Sequence, residues 1–304
     1  MTERAPITTR LAEFISGFSP DALPPQVFDT TRTLAYDGIG VLYAAIHPSV
    51  TASRGIGDFA EEYGGRGEAT LIGRGCRTDP ITATLANGTL GYAADYEPHH
   101  PEAILHPVAV MLPTALALAE TKGRSGRAAL AAIALGCEMT YRVSMAMNPR
   151  ELYSRGFHPS AIAGSFGAAS ASAYLLGLNT EQTARALGLA ALQTCGLLAW
   201  QGDPREDARP FQMGLAARNG TMAALSAGRC FGAPDRIFDG GHIVVDAYCA
   251  VADTAPLLDG LGTVWEGVTE LAIKPYPYVS FLHPALDALD RLLREHKLCL
   301  TEYR

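Results

Sequence analysis

Five of the eight histidines are followed directly by proline: His47, His100, His106, His158 and His283. The residue before a proline is pushed out of the α region, and proline itself is favoured in the first turn of a helix. Each His-Pro pair therefore predicts a loop-to-helix junction, with an imidazole beside free N–H groups and the positive end of a helix dipole. That setting attracts anions and favours the neutral ring. A neutral imidazole next to a carboxylate-binding pocket is what proton abstraction requires. For His47 and His283 the plainer reading, a cap that fixes a loop, is preferred.

The stretch DYEPHHPEAILHP (95–107) crowds Asp95, Glu97, His99, His100, Glu102 and His106 into non-helical text between two apolar helices. Three accounts compete. A solvated loop is one. A metal site is another, but H-H-x5-H lacks the helix-face spacing of zinc motifs, so no metal is expected. The third, acid–base chemistry by a carboxylate that orients an imidazole, carries the most weight. Further on, SRGFHPSAIAG sets His158 just before Pro159 and Ser160, a ready anion site. GDPREDARPFQMG holds Arg205 and Arg209, whose forked guanidinium suits carboxylates. Lys274 lies in LAIKPYPYV and is one of three lysines, with Lys122 and Lys297. Among apolar and aromatic neighbours it is either a paired structural ion or a functional cation.

The elements that must position these groups are predicted to be helices. Pro25 opens a periodic apolar stretch, Thr78-Asp79-Pro80 offers a cap before ITATLANGTLGYAA, and Ser125 and Thr180 can cap two more helices. EATLIG (68–73) and ELAIKPYP (270–277) read as short strands or extended connectors, the second ended by prolines. HPALDALDRLLREHKLCLTEYR reads as an amphipathic helix with a polar tail. Gly164, Ala168 and Ser172 share one side of a helix, which implies close packing within one bundle ahead of a dimer interface.

Composition bounds the rest. The 304 residues are 48% hydrophobic and 18% charged, with 31 Gly, enough to bury a sizeable core. A net charge of −7 argues against a nucleic-acid footprint or a polybasic membrane face. The six cysteines (Cys76, Cys137, Cys195, Cys230, Cys249 and Cys299) show no metal-ligand spacing. The N-terminus has no apolar signal region, and no apolar run is long enough to span a bilayer. A soluble cytoplasmic protein is expected.

The strings LANGTLGYAADYE…LHPVAVMLPTALALAE, GFHPSAIAGSFGAASASAYLLGL, EQTARALGLAALQTCGL and KPYP…HPALDA resemble the MmgE/PrpD family. That family includes 2-methylcitrate dehydratase, cis-aconitate decarboxylase and iminodisuccinate epimerase. The resemblance runs from about Leu11 to the end. It implies a mainly α fold, a bundle-like helical domain over 1–268, with only the start of a smaller α+β lid domain over 269–304. It also implies a homodimer and no cofactor. Asp95, His106, His158 and Lys274 fall on the family's active-site positions. Two motifs depart from it. The family's D-F-D-D-T-H reads Asp95-Tyr96-Glu97-Pro98-His99-His100 here, and its K-R-L-H or K-P-L-H reads Arg209-Pro210-Phe211-Gln212. An arginine keeps positive charge for a carboxylate but cannot shuttle a proton.

These readings together predict a lyase of the 2-methylcitrate dehydratase type, eliminating water from a small di- or tricarboxylate without metal or redox cofactor. Asp95, His106, His158 and Lys274 are expected to be catalytic, and His99, His100, Arg209 and Gln212 to bind substrate. Decarboxylation or epimerisation of a related acid would use the same carbanion chemistry. A non-catalytic helical binding module is the reading from another class.

Overall fold

The computed structural model describes residues 5–240 and 243–297. Its helices follow the sequence punctuation closely. After α1 (Ile7–Ser16), Pro25 takes the first turn of α2 (Pro25–Ala45), and α3 (Thr51–Tyr63) follows. A small hairpin joins β1 (Ala69–Leu71) to β2 (Cys76–Thr78), antiparallel, with Ala69 opposite Thr78. The strand expected over 68–73 is thus present. Asp79 caps α4 (Pro80–Ala93), its carboxylate accepting from the N–H groups of Ile81 and Thr82, with Pro80 in the first turn.

Next come α5 (Val108–Lys122), α6 (Gly126–Ala146) capped by Ser125, and the short α7 (Pro149–Ser154). Then follow α8 (Pro159–Leu176), α9 (Thr180–Ala191) and α10 (Ala208–Ala227). At α9 the cap is Asn179, not Thr180. Asn179 and Gln182 form a reciprocal capping box, Asn179 Oδ1 accepting from Gln182 N–H and Gln182 Oε1 from Asn179 N–H, so two orphan donors are satisfied. The chain closes with α11 (Val244–Tyr248), α12 (Glu266–Thr269) and α13 (His283–His296). The polar tail expected after α13, and Cys299, fall outside the described residues.

The second extended stretch, 270–277, forms no strand. Its one ladder-type pairing is Ala272 with His99, each accepting the other's N–H, and its prolines end the pairing there.

Helix α8 is the centre of the molecule. Every residue but Tyr174 and Leu176 is buried, walled in by α6, α10, α5 and α9. Burial on all sides explains why the helix reads as small and apolar all round. The stripe of Gly164, Ala168 and Ser172 does pack inside the chain: a Cβ on Gly164 would touch Val110 and Ala216. On the facing α10, a Cβ on Gly220 would lie 2.5 Å from the Ala169 nitrogen and the Ser165 oxygen, so glycine is needed for that approach. Among the described residues no helix is long and apolar enough to cross a membrane.

Candidate active site

Four helix boundaries meet at one end of this bundle. Helix α4 ends at Ala93, and Asp95 then adopts a left-handed φ of 52°, a conformation that aspartate tolerates better than most residues. That turn brings both its carbonyl and its carboxylate to Lys274. The Lys274 ammonium donates to the Asp95 carbonyl (2.9 Å), to Asp95 Oδ1 (2.8 Å) and to Glu97 Oε1 (3.0 Å). Its three hydrogens thus have three acceptors, and its side chain is 1% exposed. Lys274 is thus an ion paired to the Asp95–Glu97 turn, with all three hydrogens directed at the chain.

Arg209, in the first turn of α10, reaches the same carboxylate, with Nη1 donating to Asp95 Oδ1 at 3.1 Å and Nη2 near Glu206 at 3.4 Å. Its guanidinium lies over the rings of Tyr92 (5.1 Å) and Trp200 (5.8 Å). Burial raises the Asp95 carboxyl, but Arg209 and Lys274 outweigh it, and the net shift is downward. Asp95 is therefore held as a carboxylate.

The imidazoles sit on the other side of this ionic frame. His106 precedes the Pro107 cap of α5. Its backbone N–H donates to Ser160 Oγ (3.1 Å), which ties the starts of α5 and α8 together. Its Nδ1 lies 2.9 Å from Glu97 Oε1, out of line for a formal hydrogen bond. His158 is the N-cap residue of α8 and is 4% exposed. Its backbone N–H donates to the Gly196 carbonyl, and its Nδ1 stands 3.2 Å from Gln212 Oε1. Burial first, then His106 and Arg209, lowers its pKa to about 3, so the ring is neutral at physiological pH. Tyr92 joins the two histidines, its ring 5.0 Å from His106 and 6.0 Å from His158. His99, 6.1 Å from His106, is lowered to about 4 by burial, then by His106 and Lys274.

Asp95, His99, His106, His158, Lys274, Arg209 and Gln212 therefore belong to one connected cluster. His100 faces elsewhere. Its ring stacks on Tyr141 at 4.9 Å and its Nδ1 accepts from Ala103 N–H (3.2 Å). It stabilises the 100–105 turn instead of facing the cluster. The junction rule holds for His106 and His158; His283 also opens a helix, α13, but directly after the turn at 280–282 and with α-region dihedrals (φ −58°, ψ −44°). The rule fails for His47, three residues short of its following helix, and for His100, which sits in a turn. The low His158 pKa also has a different leading cause from the expected one: burial outweighs any dipole.

Three cluster residues were not singled out from the sequence. Glu97 was visible only as one acid in a crowded loop, Tyr92 as one apolar residue of a buried helix, and Trp200 had no signal beyond rarity. Arg209 Nε, Trp200 Nε1, His99 Nδ1 and Glu97 Oε2 are buried with no partner on the described chain. Buried polar atoms are normally satisfied, so a concentration of unpartnered ones marks a place for a polar ligand. A cavity of about 360 Å³ between α3, the hairpin and α4, lined by Ile46, Ser53 and Leu71, contains none of these groups. Among the described residues no three His, Cys, Asp or Glu side chains are arranged to hold a metal ion.

The chain is 30% identical to the cis-aconitate decarboxylase-like protein oryM of Aspergillus oryzae, across 97% of this chain and 63% of that protein. It is 27% identical to a cis-aconitate decarboxylase of Aspergillus terreus, across 95% and 61% respectively. The chain thus spans less than two thirds of the length of these relatives. Residues 9–256 match the model of the MmgE/PrpD N-terminal domain, and with the helical architecture and the clustered motifs this places the chain in the MmgE/PrpD family.

Proposed function

We propose that this chain carries the acid–base machinery of a lyase acting on a small di- or tricarboxylate, with cis-aconitate-type decarboxylation as the first reaction to test. The observation that carries the reading is the pairing of unlike imidazoles. Burial keeps His158 neutral, while His106 stands against the Glu97 carboxylate, and both sit beside buried donors without partners. Groups in environments that differ in this way divide naturally into base and acid.

Decarboxylation of such an unsaturated acid breaks one C–CO₂ bond. The released pair forms a new C=C, and the old double bond takes up a proton. Protons alone close that balance, so no electron carrier is needed. In this reading His106 delivers the proton, with Glu97 holding the ring. Arg209 receives a substrate carboxylate and stabilises charge delocalised onto it, the largest contribution such sites usually supply. Asp95 and Lys274 keep Arg209 and Glu97 in position. Water elimination from a 2-methylcitrate-type acid, and epimerisation, use the same delocalised carbanion. His158 as a neutral base favours these as the second reading, since both begin with removal of a proton α to a carboxylate.

We further read residues 1–268 as the helical domain and 269–304 as the start of an α+β lid. The working protein is read as a cytoplasmic homodimer whose partner is the small acid, with no cofactor. The test is proton NMR of the protein with cis-aconitate, 2-methylcitrate and citrate in deuterated water. Turnover or solvent exchange at a carbon next to a carboxylate is expected, with His158→Gln lowering it by roughly 10²–10⁴-fold. No exchange with any of the three acids would overturn the reading and favour the binding module.

A further inference from the structure

We infer that Gln212 fixes the tautomer of His158, keeping the ring proton on Nδ1 and leaving Nε2 bare, so that Gln212 is a positioning residue and not a substrate ligand. The inference deepens the lyase reading and rests on it only for the use made of Nε2; the tautomer is a property of the resting protein.

The argument starts at the backbone. Residues 156–158 and 196–198 pair antiparallel through the Phe157–Leu197 bridge, with His158 N–H donating to Gly196 O (2.7 Å) and Leu198 N–H to Gly156 O (2.8 Å). This pairing leaves the Leu197 carbonyl outside the ladder and fixes it relative to His158. Gln212 Nε2 donates to that carbonyl at 2.8 Å. The opposite amide orientation would put two oxygens 2.8 Å apart with no proton between them, so the amide can sit only one way. Its oxygen is then the atom 3.2 Å from His158 Nδ1. A carbonyl oxygen only accepts, so Nδ1 must carry the hydrogen, and the lone pair of the neutral ring falls on Nε2.

Both ends of the Gln212 amide are thereby committed to the chain. One amide hydrogen and one oxygen lone pair remain for the substrate-binding role that the sequence suggested for it. The remaining neighbours of the ring are the aromatic faces of Tyr92 (6.0 Å) and Trp200 (5.8 Å), and the charged or titratable His106 and Arg209. None of these is hydrogen-bonded to the His158 ring, so Gln212 alone selects the tautomer among the described residues.

The test is ¹⁵N NMR of histidine-labelled protein near pH 7.5, with the His158 signals assigned by their loss in His158→Gln. The wild type is expected to show a protonated Nδ1 and an unprotonated Nε2. Gln212→Leu should shift the ring toward the Nε2–H form. Gln212→Glu loses the bond to the Leu197 carbonyl, from which its carboxylate must turn away, but presents only acceptors to Nδ1; it should keep the Nδ1–H form and move protonation of His158 to higher pH because it adds a negative partner. If the protein turns over one of the acids, Gln212→Leu should lower kcat by on the order of 10²-fold with KM little changed. A wild-type ring protonated on Nε2, or a tautomer unmoved in Gln212→Leu, would overturn the inference, as would an effect confined to KM. If Gln212→Leu does not fold, the wild-type and Gln212→Glu spectra decide. An Nδ1–H ring in a protein inert toward all three acids would end the lyase reading and leave this one standing.

Discussion

At the scale of residues, the cluster shows how burial assigns roles to chemically similar groups. His158 and His99 are neutral because desolvation opposes their charged forms, and that has a cost in acid. The folded protein resists protonation of His158 down to about pH 3, whereas the unfolded chain takes that proton near 6.5. Below 6.5 the unfolded state therefore binds more protons, so this contribution is complete above 6.5 and stability falls as pH drops toward 3. Each pH unit costs at most about 1.4 kcal/mol for this group. Urea unfolding at pH 7, 6 and 5 should show a shallower loss in His158→Gln than in the wild type. Glu138, raised by burial to about 7, titrates with the opposite sign in both proteins and drops out of that difference. An identical slope in the two proteins would contradict a dry, neutral His158. Glu97, Tyr92 and Trp200 escaped the sequence reading for a related reason: their significance lies in what they touch, not in their residue type or spacing.

At the scale of elements, the cluster is a set of helix ends held by one lysine. The His99–Ala272 pairing and the three Lys274 hydrogen bonds together join the 95–99 loop to the segment after α12. Lys274→Met would leave the Glu97 carboxylate, 1% exposed, without its cation. Breaking one partner of a buried pair typically costs about 3–5 kcal/mol, and that loss of unfolding free energy is expected in urea titration. Adding Glu97→Gln should recover part of it, since a neutral amide tolerates burial better than an orphaned charge. A Lys274→Met protein as stable as the wild type would show that the ammonium is not what holds this turn. Proline and cap residues marked the helix starts correctly at Pro25, Asp79 and Ser125, because capping is a contact between residues two or three apart. The 270–277 stretch was harder, since whether extended text becomes a strand depends on finding a partner with free N–H and C=O groups.

At the scale of the whole molecule, the described residues divide into a helical body around α8 and a final segment that adds little to it. In α13 only His283 is buried, and Leu289 and Leu292 are 44% and 50% exposed. The helix packs on the turn at 280–282 and on the segment before it, where Tyr276 donates to Asp287 at 2.8 Å and its ring lies 5.5 Å from that of His283. Leu289→Glu with Leu292→Glu is therefore expected to change unfolding free energy by no more than about 0.5 kcal/mol, as for other exposed positions. A loss above about 1 kcal/mol in thermal or urea unfolding would mean that this face is covered in solution.

The amino-acid sequence by itself determined the helical class, most helix starts, the family, and seven of the polar residues that come together. Each of these follows from local rules: capping geometry, apolar periodicity, and motifs whose residues lie within a few positions of one another. Only the tertiary structure decided that Lys274 spends all its hydrogens on the chain, that His100 turns to Tyr141, and that Gln212 is locked between Leu197 and His158. Those outcomes depend on which distant backbone groups arrive within about 3 Å, and hydrogen bonding at that range is set by packing, not by spacing along the chain.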